Sequence, residues 1–576
     1  MGVVDLSPET NPRPAGWRTR RLLVWKIQNP LRWSWSLLTM LLSMALSAKA
    51  ESPDTRRFRD VAGAVGVQFS FDNGSRGKHD LPEIMGGGVA VLDVNGDRAP
   101  DLYFCNGGPI GEATGRLDPP CRTFLNDGHG RFRDVTGEVS APGPSYAMGA
   151  AVGDFDNDGR DDLFVTGWRD QRLYRNLGGR FEDVTDRAGL ASDRWSTSAA
   201  FADLDGDGDL DLNVASYAAF DPRRAPYCAA PDGKRDYCGP EDLDPQNDCL
   251  YRNNGDGTFT DVSQTAGIAL SGRGLGVLIA NLTGDDKPDL YVANDGTPCR
   301  LFENRGDLQF EDVALDRGVA VDGVGNALAG MGVAFGDIDG DGRGDLCVTN
   351  FLGRSTVAFR ALGHDSYADQ SAALGLTALT RPVLGFGIAL ADLDNDGRLD
   401  LIQANGHVLD RARLGVAMAM PTVLAWNRGG RFVSAAPDPN GPLARRRLGR
   451  GIAVGDLDGD GCLEVILSSI DRPAAILKTE PQGTHALILD LHSRSPSRSA
   501  TGAVVRAKVQ GRWMTRHCVA GGSYLSASSS VIHLGLGSAE TVEVLEIRWP
   551  SGRVERWKDC ESGRRALSEG TGEPVP

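Results

Sequence analysis

The chain has 576 residues, 41% of them hydrophobic, which is enough for a large buried core and for two to four domains. Its 74 glycines follow no collagen-like period and favour a fold of strands and tight turns. A formal charge of −16 sets nucleic acid and anionic lipid aside as partners and makes a cation the natural small ligand.

The N-terminus carries Arg13, Arg18, Arg20, Arg21, Lys26 and Arg32, then the apolar run Trp35 to Leu46, then Ala48-Lys49-Ala50. That order predicts a signal peptide over residues 1–50, or an uncleaved anchor, and so an exported chain at the cell surface, in the periplasm or outside the cell. Removing residues 1–50 takes away seven Lys/Arg and two Asp/Glu and deepens the charge to −21. No later segment approaches the ~18 apolar residues of a membrane span. An F-x-D-V run, Phe58 to Val61, stands alone after the leader.

Seven acidic nonapeptides then follow, beginning at Asp93, Asp154, Asp203, Asn281, Asp337, Asp392 and Asp456, at intervals of 61, 49, 78, 56, 55 and 64 residues. Units of that length are too long for solenoid coils and fit four-stranded propeller blades with loops. One strand is read before each acidic loop and one after it. A third resembles LYRN, as at Leu173 to Asn176, and a Gly-rich turn leads to a fourth of the form F-x-D-V, at Phe132, Phe181, Phe259 and Phe310. No F-x-D-V follows the seventh loop, so the orphan at Phe58 is expected to complete the last blade and close the ring. The fold class predicted is all-β, a seven-bladed β-propeller over residues 51–483.

In the pattern D-x-D-x-D-G-x-x-D, positions 1, 3, 5 and 9 can converge on one point, and Gly at position 6 permits the reversal. Oxygen-only ligands in a turn suit Ca²⁺. The predicted ligands are Asp93, Asn95, Asp97 and Asp101; Asp154, Asp156, Asp158 and Asp162; Asp203, Asp205, Asp207 and Asp211. Asp337, Asp339, Asp341 and Asp345 continue the series with Asp392, Asp394, Asp396 and Asp400, and with Asp456, Asp458, Asp460 and Glu464. About five to seven Ca²⁺ are expected per chain. The first loop has Arg98 where Gly is expected, and the Asn281 loop, with Thr283 and Asp285, can be a metal-free relic. None is an EF-hand, because position 12 is Val165, Val214, Val348, Gln403 or Leu467, inside a strand.

Cys228 and Cys238 are the leading disulfide candidates among ten cysteines; Cys105 with Cys121 and Cys518 with Cys560 are further pairs. In an up-and-down blade the acidic loop and the turn between strands three and four share a face. The long insertions Asn106 to Pro120, Tyr217 to Asp248 and Gly406 to Pro421 then emerge opposite, where loops of that length commonly carry function.

The acidic blades resemble FG-GAP/VCBS repeats. His485 to Lys558, with GGSYLSASSSVIHLGLGSAE (Gly521 to Glu540) and VLEIRWPSGRVERW (Val544 to Trp557), resembles an ASPIC/UnbV domain. Together they are similar to the cartilage acidic protein family and its bacterial members. One departure is the Asn281 loop; another is SRSATG, where a family-like Asn-Arg-x-Gly turn is expected. The resemblance implies a small β-sandwich or barrel-like domain at 484–560 and a disordered tail at 561–576. It also implies an extracellular calcium-binding, non-catalytic protein that binds or adheres to an unidentified protein or glycan. The alternative is an extracytoplasmic propeller enzyme of lyase or hydrolase type, with its site on the long-loop face. No His-Glu-x-x-His, G-x-S-x-G or Walker-type loop occurs, and Trp168, Trp195 and Trp426 are too few for a tryptophan-docked quinoprotein ring. His407, at the start of an insertion, is the one suspicious histidine, and GRGLGV (Gly272 to Val277) has no βαβ setting.

Overall fold

The computed structural model describes residues 58–575 apart from 111–119, 231–232, 364–365, 411–414, 436–437, 481 and 494–499. The expected leader at 1–50 lies outside the described residues, as does the first half of the SRSATG turn. Among the described residues no helix is long and apolar enough to cross a membrane.

Strand follows strand antiparallel through each repeat, as alternation and turn chemistry require. The blade of the Asp93 loop comprises Val89–Leu92, Asp101–Phe104, Arg122–Asn126 and Phe132–Asp134, paired in that order. Seven four-stranded arrays of this kind occur among the described residues, and their first strands touch one another in a closed cycle. The fourth strand of the last array comes from the other end of the chain: Arg59 pairs with Lys478 and Asp60 with Leu477. Phe58 anchors it in the core by stacking on Trp426 of the neighbouring blade.

Two blades have fourth strands that the F-x-D-V pattern did not flag, Tyr367–Asp369 and Phe432–Ser434. Their aromatic residue still follows a Gly-containing turn, but Tyr367 replaces Phe and Gln370 replaces Val in one, and the Asp-Val is missing altogether after Phe432 in the other. Blades are also joined by a ladder of asparagines that end the third strand. Asn126, Asn176, Asn253, Asn304 and Asn427 are buried and each donates its amide across to a backbone carbonyl of a neighbouring acidic loop, at Leu457, Asp93, Phe155, Leu204 and Ile338.

The C-terminal domain is two sheets over one apolar core. One sheet orders Ile532–Gly537, His485–His492 and Gly563–Ser568; the other is built on Val504–Val509, Thr541–Arg548 and Val554–Glu561. Residues 561–576, expected as a disordered tail, instead supply two strands. Gly563–Ser568 runs parallel to His485–His492, and Glu573–Pro574 pairs with Val554–Glu561.

This domain sits on the acidic-loop face. From it the segment Ala520 to Ser529 dips into the centre of the ring and returns. Ala520 and Gly521 pair with Ile279 and Leu278, Ser523 bridges Val333, and Leu525 bonds Ser198 and Ala150. Tyr524 is completely buried, packs edge-on against Phe386 and donates to the Met85 carbonyl. The chain then climbs out past Val89, Val91 and Val454. All seven first strands therefore contact one polypeptide finger, which explains why their residues are almost uniformly buried.

Candidate metal centre

Each acidic loop is organised by its own backbone. Position 9 opens the second strand and is buried, with 0–2% exposure from Asp101 through Glu464. One carboxylate oxygen accepts the position 2 amide, at 2.8 Å for Val94 to Asp101, 3.1 Å for Phe155 to Asp162 and 2.8 Å for Leu457 to Glu464. The other accepts an amide of the third strand, as Asn176 to Asp162 at 2.7 Å and Asn427 to Asp400 at 2.8 Å, except at Glu464, whose Oε1 faces Lys478 instead. Position 1 accepts the amide of position 6, 2.8 Å for Gly159 to Asp154 and 2.9 Å for Gly397 to Asp392.

This wrap needs two left-handed residues. Position 6 has φ between 68° and 95° in every loop, including Arg98 at 68° and Asp286 at 76° in the two irregular ones. Position 4 is equally left-handed and is always Gly or Asn, with φ from 54° at Asn395 to 80° at Gly284. Sequence reasoning found the position 6 requirement and missed position 4, whose Gly/Asn alternation was the available signal.

The wrap brings carboxylates together. Ligand oxygens of Asp154, Asp156 and Asp162 lie within 4.8 Å of one another, as do those of Asp203, Asp205 and Asp207, of Asp337, Asp339 and Asp345, and of Asp392, Asp394 and Asp400. Burial, followed by repulsion between neighbours, pushes the carboxyl groups up: Asp101, Asp345 and Asp392 to about 7, Asp162, Asp211 and Glu464 to about 8. Backbone amides and nearby cations oppose that rise without cancelling it.

Basic side chains partly answer the charge. Arg175 reaches Asp156 at 2.5 Å, Arg428 reaches Asp394 at 3.0 Å, Arg360 pairs with Asp339, and Lys478 lies against Asp458, Asp460 and Glu464. Yet Asp156 Oδ1 and Asp458 Oδ1 are buried and accept no hydrogen bond among the described residues. Unsatisfied buried carboxylate oxygens in an all-oxygen cluster fit a hard divalent cation such as Ca²⁺, which takes 6 to 8 oxygens.

The Asn281 loop is held differently. Asn281 accepts from Gly284, Asp289 takes the amides of both Leu282 and Thr283, and Lys287 pairs with Asp285. Its outer residue Asp286 is tied to Arg548 of the C-terminal domain. That domain also touches other loops: Arg516 donates to Asp392 at 3.2 Å with both side chains buried, and Gly535 donates to the same oxygen.

On the opposite face, Cys228 and Cys238 form a disulfide that ties the Tyr217 to Asp248 insertion. The other two expected bridges are absent: Cys105, Cys121, Cys518 and Cys560 are buried thiols. Cys518 and Cys560 belong to one apolar core without being bonded, and Cys105 and Cys121 flank register partners on adjacent strands. His407 is 4% exposed, packs edge-on against Phe351 and accepts the Leu409 amide, which is a structural setting.

Comparison with protein families matches the FG-GAP-like repeat over residues 93–165, 154–214, 231–292 and 281–348, and the ASPIC and UnbV domain over 493–572. The chain is an FG-GAP repeat protein with an ASPIC/UnbV domain. This FG-GAP–ASPIC/UnbV chain is 29% identical to cartilage acidic protein 1 of Homo sapiens over 318 residues, 54% of its length and 46% of the relative's. It is 28% identical to that of Xenopus tropicalis over 51% of its length and 44% of the relative's. The chain thus spans about half the length of the curated relatives it matches. Among solved structures, an Agrocybe aegerita lectin that recognises non-reducing terminal N-acetylglucosamine aligns at 17% identity and TM-score 0.35, covering 67% of this chain and 86% of the lectin. BBS1N, solved in complex with ARL6DN, aligns at 11% identity and TM-score 0.39, covering 69% of this chain and 93% of its own.

Proposed function

We propose that this FG-GAP–ASPIC/UnbV protein is an exported calcium-binding propeller that serves as a binding or adhesion module for an extracellular protein or glycan. The observation that carries the reading is the repeated convergence of carboxylates on a turn that leaves Asp156 Oδ1 and Asp458 Oδ1 buried and without donors among the described residues. Asp154, Asp156, Asp158 and Asp162, with the equivalent residues of the other regular loops, would hold the ions. Bound Ca²⁺ would neutralise the loops and fix their shape. Export is supported by the Cys228–Cys238 disulfide, which suits an oxidising compartment. The insertions opposite the acidic loops are the binding face of this reading, since the C-terminal domain occupies the other.

Metal analysis after dialysis against calcium tests the first half. At least about four ions per chain are expected from the regular loops, and fewer than about three overturn the calcium reading. A glycan and matrix-protein binding screen, with and without chelator, tests the second half. Binding that calcium-loaded protein shows and chelated protein lacks supports the module.

A further inference from the structure

The run Ala444-Arg445-Arg446-Arg447 is unusual in a chain of net charge −16, and the fold gathers it with other basic residues. Arg445 and Arg447 lie in the connection into the last blade, Arg472 in the connection between its second and third strands, and Arg122 at the start of a third strand in the first blade. With the turn after Phe58 to Asp60 they line a cleft of about 830 Å³ at the seam where the ring closes. All these connections are on the face opposite the acidic loops.

The cleft has more cation than anion. Asp60 is shared by Arg445 at 3.4 Å and Arg447 at 3.3 Å, while Arg122 and Arg472 are answered from outside the cleft by Asp134 and Asp471. Arg447 is 4% exposed, and its Nε donates to no group among the described residues. Burial depresses this guanidinium, Asp60 opposes that effect, and the charges of Arg472 and Arg445 add to it. Like charges held this close, with a buried donor unmet, are stabilised by an anion.

We propose that this cleft binds a small saccharide unit carrying a carboxylate or sulfate group, with the oxyanion held by Arg447, Arg445 and Arg472. Guanidinium forks match the planar or tetrahedral oxyanion. The volume far exceeds a lone ion and falls in the 300 to 1,000 Å³ range of small-ligand sites. Exposed Gln68 and Ser70 on its wall offer amide and hydroxyl partners for sugar hydroxyls, and Val67, Pro473 and Ala474 offer apolar surface. A long polyanion is disfavoured because the remainder of the molecule would repel it.

The proposal rests on reading this face as the binding face, but no acidic loop lines the cleft, so a failed calcium titration leaves it standing and its failure leaves the calcium reading standing. The test titrates calcium-loaded full-length protein at low salt with glucuronate, glucose 6-sulfate, inorganic sulfate and neutral glucose, followed by NMR or calorimetry. One or both anionic sugars should bind, more weakly as salt is raised, and glucose should not. Arg445→Ala with Arg472→Ala, both exposed side chains, should weaken binding by about tenfold or more, the worth of one lost charge-assisted contact, without altering the melting temperature. Arg447→Lys, which keeps the charge and loses the fork, should also weaken it. Absence of binding by both anionic sugars, or unchanged affinity in the double variant, overturns the site. Inorganic sulfate binding as tightly as the sugars overturns the saccharide assignment.

Discussion

At the scale of single residues, the acidic loops are a compromise between the backbone and the metal. The position 9 aspartates are each committed by two backbone amides and still converge with positions 1 and 3 in three loops, while the Asp203 loop gathers positions 1, 3 and 5. Asp156→Ala and Asp394→Ala should each remove about one Ca²⁺ per chain and lower the melting temperature by several degrees, read by metal analysis and calorimetry. Full occupancy in either variant would show that the residue is not a ligand. Arg98 is a second test, because it holds a left-handed φ of 68° that every regular loop gives to Gly. Arg98→Gly should relieve about 1 kcal/mol of backbone strain and raise the melting temperature slightly. The carbonyl of residue 98, which accepts from Arg564, is retained in that variant. The convergence of carboxylates could be read from the chain, since spacing alone picked out Asp154, Asp156 and Asp162 and their counterparts, which the fold brings together. The left-handed position 4 was missed because Asn and Gly alternate there, and the buried amide partners come from distant strands that no local pattern reveals.

Elements follow from the repeat, with informative exceptions. First and second strands were legible because apolar alternation flanks an unmistakable acidic turn. Fourth strands were legible only where the full Phe-x-Asp-Val run occurs; Tyr367–Asp369 was missed although Asp369 accepts the Ser371 amide at 3.0 Å, as Asp183 does for Thr185. Phe432–Ser434 lacks the carboxylate and was therefore not seen in the chain. Ring closure by the N-terminal strand was inferred from an element present at one end and missing at the other, and the register of Arg59 with Lys478 realises it. Only two residues pair, so the aromatic anchor must supply much of the hold. Phe58→Ala should cost about 3 kcal/mol or more by leaving a void beside Trp426, and deletion of residues 51–65 should cause early melting or aggregation. An unchanged denaturation midpoint for the deletion would mean that the ring is held shut elsewhere.

For the whole molecule, the acidic loops join ring and C-terminal domain through Arg516 on Asp392 and Arg548 on Asp286, so the proposed metal sites would be coupled to both. On the proposed calcium reading each ion at a hundredfold excess over its Kd would add about 2.7 kcal/mol, and several sites together would rival the stability of a domain. Chelation should therefore lower the melting temperature by more than about 10 °C; identical melting with and without chelator would reduce the loops to capped turns. The interface between domains predicts a pH dependence of its own. Burial holds His517 and His533 down at about 4, and His533 donates from Nε2 to the Gly461 carbonyl of the last acidic loop. A histidine kept neutral by folding contributes fully above its ordinary value of 6.5, and that contribution is lost as pH falls from there toward 4. Every tenfold change in proton affinity on folding corresponds to about 1.4 kcal/mol. Denaturation in saturating calcium should show lower stability at pH 5 than at pH 7, with a smaller gap in a His517→Phe, His533→Gln variant. An equal gap would remove these histidines from the account. None of this interface was legible in the chain, because its partners are 72 or more residues apart and carry no motif of their own.

The finger formed by Ala520 to Ser529 also sets the order of events during synthesis. The strand that closes the ring leaves the ribosome first, and the finger follows more than 460 residues later. Until it arrives, Val89, Met148, Leu275 and Phe386 of the first strands, and Met331 just before one, have no Tyr524 or Leu525 to pack against. A nascent propeller is thus left with an unfilled apolar bore, a surface that holdase chaperones and proteases recognise. A chain cut short at residue 484 should consequently accumulate as a protease-sensitive, dye-binding species even when every blade is present.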